Sequence, residues 1–262
     1  NEGSAELDNV EAVQARLASL TTGEDVLAGS SYENVETNFP ELPTMTYDGP
    51  FSDHLASSQP KALDGLSDIS PEEAVIAAAQ CTGYRETVFS LTGEVNGEIP
   101  SYTVSARVDG GELTCQITRA GGKLLSLSSS RAVGEAVMSE DDAVQRALEF
   151  LSRNGITDME ETYRYNSGGR LTVNFAWRQG DVLCYPDLCS VTVGLDNGAV
   201  LCYEATSYLS NHTRRTLDAP AIAGEQAAAS VSPRLTVLSQ RLALIPTDGE
   251  YEVQCWEFTC QA

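Results

Sequence analysis

Lysine is almost missing from this sequence. Of 16 basic residues only Lys61 and Lys123 are lysines, against 38 aspartates and glutamates, and the formal charge is −22. So few cations argue against nucleic acid as a partner, because phosphate binding needs clustered Lys and Arg to release counterions. They also argue against contact between these residues and an anionic membrane surface. Histidine is equally scarce: His54 and His212 lie far apart in sequence and do not read as a pair. No stretch reaches the roughly 18 consecutive apolar residues of a spanning helix, and no basic-then-apolar signal segment occurs. The chain opens at Asn1 without a methionine, which reads as a fragment whose targeting segment has been removed.

What is present suffices for packed cores: 42% of residues are hydrophobic and 7% aromatic. Seven cysteines form an odd set, so at least one thiol stays unpaired. They read mainly as free core residues. A disulfide between Cys184 and Cys189 is the alternative.

Charge and punctuation divide the chain. Residues 1–64 hold twelve acids and two basic residues. They read as a short helix near Asn9–Leu20 followed by an acidic linker broken by Pro40, Pro43, Pro50 and Pro60. After residue 64 the sequence repeats. Ser70-Pro71-Glu72-Glu73-Ala74-Val75 has the form of a capped helix start, with Ser70 as cap and Glu73 closing a capping box. Ser139-Glu140-Asp141-Asp142-Ala143-Val144 repeats it 69 residues later, and Tyr102-Thr103-Val104 matches Leu171-Thr172-Val173 at the same offset. A constant offset across a helix and a strand indicates tandem duplication.

A fainter third copy has Gly224-Glu225-Gln226-Ala227-Ala228 at the helix start and Tyr251-Glu252-Val253 at the strand. Its helix is weak, because Gly224 has no side chain to cap with. It reads as an incomplete unit.

The rest of each copy alternates apolar and polar residues between hairpin turns such as Asp109-Gly110-Gly111 and Asp196-Asn197-Gly198. In the first copy, strands are expected at 86–91, 101–108, 113–118 and 123–127. The second carries about seven extra residues within Arg178–Leu188, counted from the offset of 76 between its last turn and that of the first. One helix laid on a small antiparallel sheet makes the class α+β. The expected organisation is 1–64, then repeats over 65–134, 135–210 and 211–262.

Catalytic constellations are missing from the sequence. There is no His-Glu-x-x-His, no Gly-x-Ser-x-Gly, no Walker loop and no dinucleotide fingerprint. Cys184-x4-Cys189 and Cys255-x4-Cys260 could be imagined as zinc ligands, but both pairs sit on or beside expected strands, where regular alternation would put positions five apart on opposite faces. The acids Glu72, Glu73, Asp141 and Asp142 sit in first helical turns, where they offset the helix dipole. The reading is of a non-enzyme with no cofactor and no metal. The strand aromatics Trp177, Tyr185, Tyr203, Tyr208, Trp256 and Phe258 read mostly as core, and Asn211-His212-Thr213 as an incidental glycosylation sequon.

The segment Tyr47-Asp48-Gly49-Pro50-Phe51-Ser52-Asp53-His54 stands apart. Alone it reads as a turn with a following cap, a brace between the amino-terminal region and the repeats. Joined to the repeats it resembles the signature of the YpeB family of spore germination proteins. Members carry this octapeptide ahead of tandem PepSY units, and Arg241–Thr247 with Tyr251–Phe258 resembles the family's last repeat.

The resemblance implies a membrane-anchored whole protein on the outer side of the spore's inner membrane or in the cortex. It also implies a non-enzymatic role, stabilising and regulating a cortex-lytic hydrolase of the SleB kind by protein–protein contact. A peptidase inhibitor of the PepSY type and a passive envelope scaffold are the alternatives.

Overall fold

Two serines start the two long helices. In α1 (Pro71–Thr82) the Glu73 amide donates to Ser70 Oγ at 3.2 Å and the Ser70 amide to Glu73 Oε2 at 2.7 Å, the reciprocal box that Ser-x-x-Glu encodes. In α2 (Glu140–Arg153) the Asp142 amide donates to Ser139 Oγ at 3.1 Å, but the shorter Asp142 carboxylate takes the Ser139 hydroxyl instead of reaching back to the backbone. Both helices lie on the sheet through small residues at matching repeat positions, Ala74 and Ala78 in α1, Ala143 and Ala147 in α2.

The computed structural model describes residues 60–247 and 251–261. The expected helix at 9–20, the acidic linker up to residue 59 and the Tyr47–His54 segment lie outside them.

Each helix is followed by a four-stranded antiparallel meander. The first runs β1 (Phe89–Val95), β2 (Ser101–Val108), β3 (Gly111–Thr118) and β4 (Leu124–Ser129). The second runs β5 (Met159–Ser167), β6 (Arg170–Gln179), β7 (Val182–Gly194) and β8 (Val200–Glu204). Val104 on β2 and Val173 on β6, 69 residues apart, are both fully buried under their helices. The expected strand at 86–91 begins later: Glu86–Val88 is a 3-10 turn, and the strand proper starts at Phe89.

The two meanders join by their closing strands. The order is β1-β2-β3-β4-β8-β7-β6-β5, with Ser126 opposite Glu204, Leu127 opposite Tyr203 and Ser128 opposite Cys202. Two antiparallel copies meeting by equivalent edges give an internal pseudo-two-fold arrangement, and each hides an edge that would otherwise lie open. Phe150 of α2 packs edge-on against Tyr203 at 5.4 Å, and Asn154 Nδ2 donates to the Cys81 carbonyl at 3.4 Å, tying the carboxyl end of α2 to that of α1.

A short helix α3 (Thr206–Asn211) leads out of β8. The third unit consists of α4 (Gly224–Ala228) and the hairpin β9 (Thr236–Pro246) with β10 (Glu252–Gln261). The cap position is Ala223 and not Gly224, and it supplies no side-chain cap. Gly224 is the first helical residue, where a side chain would meet the Trp256 ring at 3.1 Å, so the glycine lets this stub of helix approach the hairpin. Trp256 Nε1 holds the entry to it by donating to the Ile222 carbonyl at 2.8 Å.

Unit junctions and the uncovered sheet face as candidate functional sites

The extra residues within Arg178–Leu188 attach the third unit. They lengthen the β6–β7 hairpin, and the added edge Val182-Leu183-Cys184 pairs in parallel with Leu242-Ala243-Leu244 of β9. Pairing across β6 jumps from Leu188 opposite Ala176 to Cys184 opposite Trp177, so Tyr185, Pro186 and Asp187 bulge from the ladder. This bulge corrects the alternation argument. Cys184 and Cys189 lie opposite Trp177 and Phe175, two residues apart on β6, and share one buried cluster with them. The disulfide between them is not formed: all seven cysteines are free, with Cys115, Cys184 and Cys189 buried. Burial pushes the Cys184 thiol up to about 11 and the Cys115 thiol up to about 12.

Asp187, at the tip of the bulge, is fully buried and carries the junction. Arg215 donates to both its oxygens, at 2.6 and 2.9 Å, and with its remaining N–H groups to both oxygens of Glu252 on β10, each at 2.7 Å. One guanidinium thus bridges the second unit to the third by two bidentate forks. Burial opposes its charge, but the hydrogen bonds to Glu252 and Asp187 prevail and raise its pKa above the ordinary arginine value. His212 Nδ1 lies 2.7 Å from Asp187 Oδ2, and its ring stacks on Tyr208 and stands edge-on to Trp177. An Asp–His pair is two-thirds of a hydrolytic triad. Here Arg215 shares the carboxylate and aromatic rings pack the imidazole, which makes the pair part of the brace.

Asn211 of the sequon is buried and donates to the Pro186 and Ser207 carbonyls. A second cluster lies beside the first. Arg241 of β9 reaches Glu257 at 2.7 and 3.0 Å and Glu160 of β5 at 2.9 Å, and the Tyr185 hydroxyl donates to Glu257 at 2.9 Å. Burial and Glu257 push the Tyr185 phenol up to about 12.

The linker between the first two units is pinned in the same manner. Arg131, buried after β4, donates to both oxygens of Asp196 at 2.7 and 2.9 Å, and the Gly134 amide adds a bond at 2.8 Å. Arg131 first, then that amide, holds the Asp196 carboxyl well below the usual carboxylate range. Gly111 keeps room for this linker: a Cβ there would lie 2.5 Å from the Arg131 backbone nitrogen.

No described helix packs on the middle of the sheet face opposite α1 and α2, although Thr192 there is buried and Ser101, Thr118 and Ala176 at its margins are fully buried. Strand register arranges its central side chains in two ranks. One passes from Ser105 through Thr114, Ser128, Cys202, Thr192 and Thr172, and ends at Tyr165. The other passes from Thr103 through Gln116, Ser126, Glu204, Ser190 and Asn174, and ends at Tyr163. Both cross the seam between units without a break. Tyr163 and Tyr165 are 60% and 50% exposed, with ring centres 6.1 Å apart.

Sequence reasoning missed this face and the Asp187 junction. Trp177, Tyr203 and Tyr208 are buried as expected, and Tyr185, Trp256 and Phe258 are half-buried. Among the described residues no group of three or more His, Cys, Asp and Glu side chains could hold a metal. No helix among them is long and apolar enough to cross a membrane.

The family model described as YpeB sporulation, PepSY1 and PepSY2 domains matches residues 28–218. The chain belongs to the YpeB sporulation protein family. The Sporulation protein YpeB of Halalkalibacterium halodurans is 31% identical over 196 residues, covering 72% of this chain and 43% of that protein. That of Bacillus subtilis is 28% identical over 254 residues, covering 94% of this chain and 56% of that protein. The chain thus spans about half the length of these YpeB relatives. In fold it is similar to the solved Bacillus megaterium YpeB C-terminal domain, with a TM-score of 0.68 at 22% identity over 74% of this chain and 88% of that one. None of these descriptions of the YpeB family names an enzyme.

Proposed function

We propose that this chain is a non-enzymatic spore germination protein that stabilises and regulates a cortex-lytic hydrolase of the SleB kind by protein–protein contact, on the outer side of the spore's inner membrane. Membership of the YpeB sporulation family is the observation that carries this reading. The use of the buried charges supports it. The bidentate arginines and the Asp187–His212 pair lock one unit to the next, which suits a rigid partner surface more than a reacting centre. The acid excess of the chain would speed encounter with a basic partner more than it would add affinity. The test is the hydrolase content of dormant spores from a strain lacking the gene, read by immunoblot. Loss of the hydrolase, restored by the wild-type gene, is expected. Normal hydrolase level and normally timed cortex breakdown would refute the reading and leave a passive scaffold.

A further inference from the structure

We propose that the uncovered sheet face binds a neutral glycan chain laid across the strands, along the two side-chain ranks. This rests on the face alone and stands apart from the hydrolase reading.

Along the path from β2 to β5 the ranks cross seven strands, which at ~4.8 Å per step span about 29 Å. In a chain with a formal charge of −22, the only charged side chain in them is that of Glu204. It is engaged at once by the Thr206 amide and hydroxyl. An exposed antiparallel face normally carries polar residues, and in so acidic a chain many of these would be carboxylates. Within the two ranks their absence removes repulsion toward a ligand, and the absence of Lys and Arg removes attraction for an anion. The exposed Arg107 and Glu112, opposite each other on β2 and β3, flank the ranks on this face.

What remains are hydroxyls and amides, each able to donate and to accept. Some are already oriented by neighbours: Thr172 and Thr192 hydroxyls lie 2.9 Å apart, and those of Ser105 and Thr114 3.3 Å. The half-buried side chains of Gln116, Ser126, Ser190 and Asn174 make no hydrogen bond among the described residues. They keep their capacity for a ligand.

A protein partner is poorly served here. Protein interfaces concentrate their energy in central Trp, Tyr and Arg anchors set in pockets, and among the described residues the two ranks have none in the middle of this face. Its only aromatics among the described residues of the ranks are Tyr163 and Tyr165 at one end, exposed side by side, amphipathic rings of the sort that lie on the apolar face of a pyranose while their hydroxyls stay wet. A polyhydroxylated, uncharged, extended polymer matches each property: neutral, rich in donors and acceptors, and with apolar ring faces at one end for the tyrosines.

The experiment titrates the whole chain with cellohexaose and with chitohexaose by calorimetry at 0.15 M and 0.5 M salt, with NMR to locate the site. The expected result is saturable binding that salt does not weaken, with shifts confined to the ranks. The Tyr163→Ala/Tyr165→Ala double variant and Ser126→Arg, which puts a bulky cation mid-face, should each weaken it by about tenfold or more. Their melting temperatures should stay at the wild-type value. Absence of binding by both oligosaccharides would overturn the proposal, as would equal binding by the variants or tighter binding of anionic polygalacturonate. Dimerisation that Ser126→Arg abolishes would overturn it too, by giving the face to a second copy of the chain.

Discussion

Replacing Arg215 tests how the third unit is held. Its side chain is 8% exposed and the Asp187 carboxylate 0%, so Arg215→Ala strands a buried charge and leaves Glu252 facing the same gap. Breaking a buried pair by removing one partner costs about 3–5 kcal/mol, most of it the penalty of the orphaned ion. At a urea m-value of about 2 kcal/mol/M this lowers the midpoint by about 2 M.

Arg215→Lys keeps the charge but offers no fork. It can face one carboxylate at a time and should lose a smaller amount, about 2 kcal/mol. Arg215→Met combined with Asp187→Leu should cost less than Arg215→Ala, because no buried ion is left alone. The two tryptophans make the assay selective, since Trp177 lies in the second unit and Trp256 in the third. Single Trp→Phe backgrounds let fluorescence follow each unit during urea unfolding. The Trp256 transition of Arg215→Ala should move to lower urea and separate from the Trp177 transition. Coincident transitions, shifted by less than about 1 kcal/mol, would show that the guanidinium does not hold the junction.

Two further outcomes follow from the units' equivalence and from their linker. Ser70→Ala and Ser139→Ala should each cost about 1 kcal/mol in urea unfolding, since each removes a cap from an equivalent helix; a tenfold disparity in effect would break the equivalence. For Asp196, a folded pKa held below the unfolded value of ~3.9 means that the stability from its pairing with Arg131 is fully present above that value and is lost as the pH falls through the depressed one. The deficit of Asp196→Asn relative to wild type should therefore be constant above about pH 5 and shrink on acidification, and a deficit independent of pH down to pH 2 would contradict the ion pair.

The duplication was legible because helix capping and strand alternation are local. Ser70 and Ser139 announce helix starts without reference to the rest of the chain, and Val104 and Val173 repeat at a fixed offset. Which edges meet was not legible. Alternation in β4 and β8 says that each has one buried face, but pairing between them depends on shape at a distance of about 75 residues.

The insertion was visible as a count, and its role was not. The bulge at Tyr185–Asp187 shifts the strand out of alternation, which is why Cys184 and Cys189 share a face against expectation. The brace had one signal that could have been used. In a chain with so few cations, Arg214-Arg215 beside His212 and an aspartate inside an insertion form an uncommon concentration of charge that pairing can explain. The two polar ranks were invisible one strand at a time, because Ser and Thr at outward positions look ordinary until register lines them up.

The most direct measurement is the affinity between the full-length protein and the purified cortex-lytic hydrolase, read by biolayer interferometry alongside hydrolase activity. Saturable one-to-one binding that changes the rate of cortex cleavage, with no turnover by the protein itself, is what the account predicts. A hydrolase that neither binds nor changes its rate in its presence, or cortex cleavage by the protein alone, would contradict it.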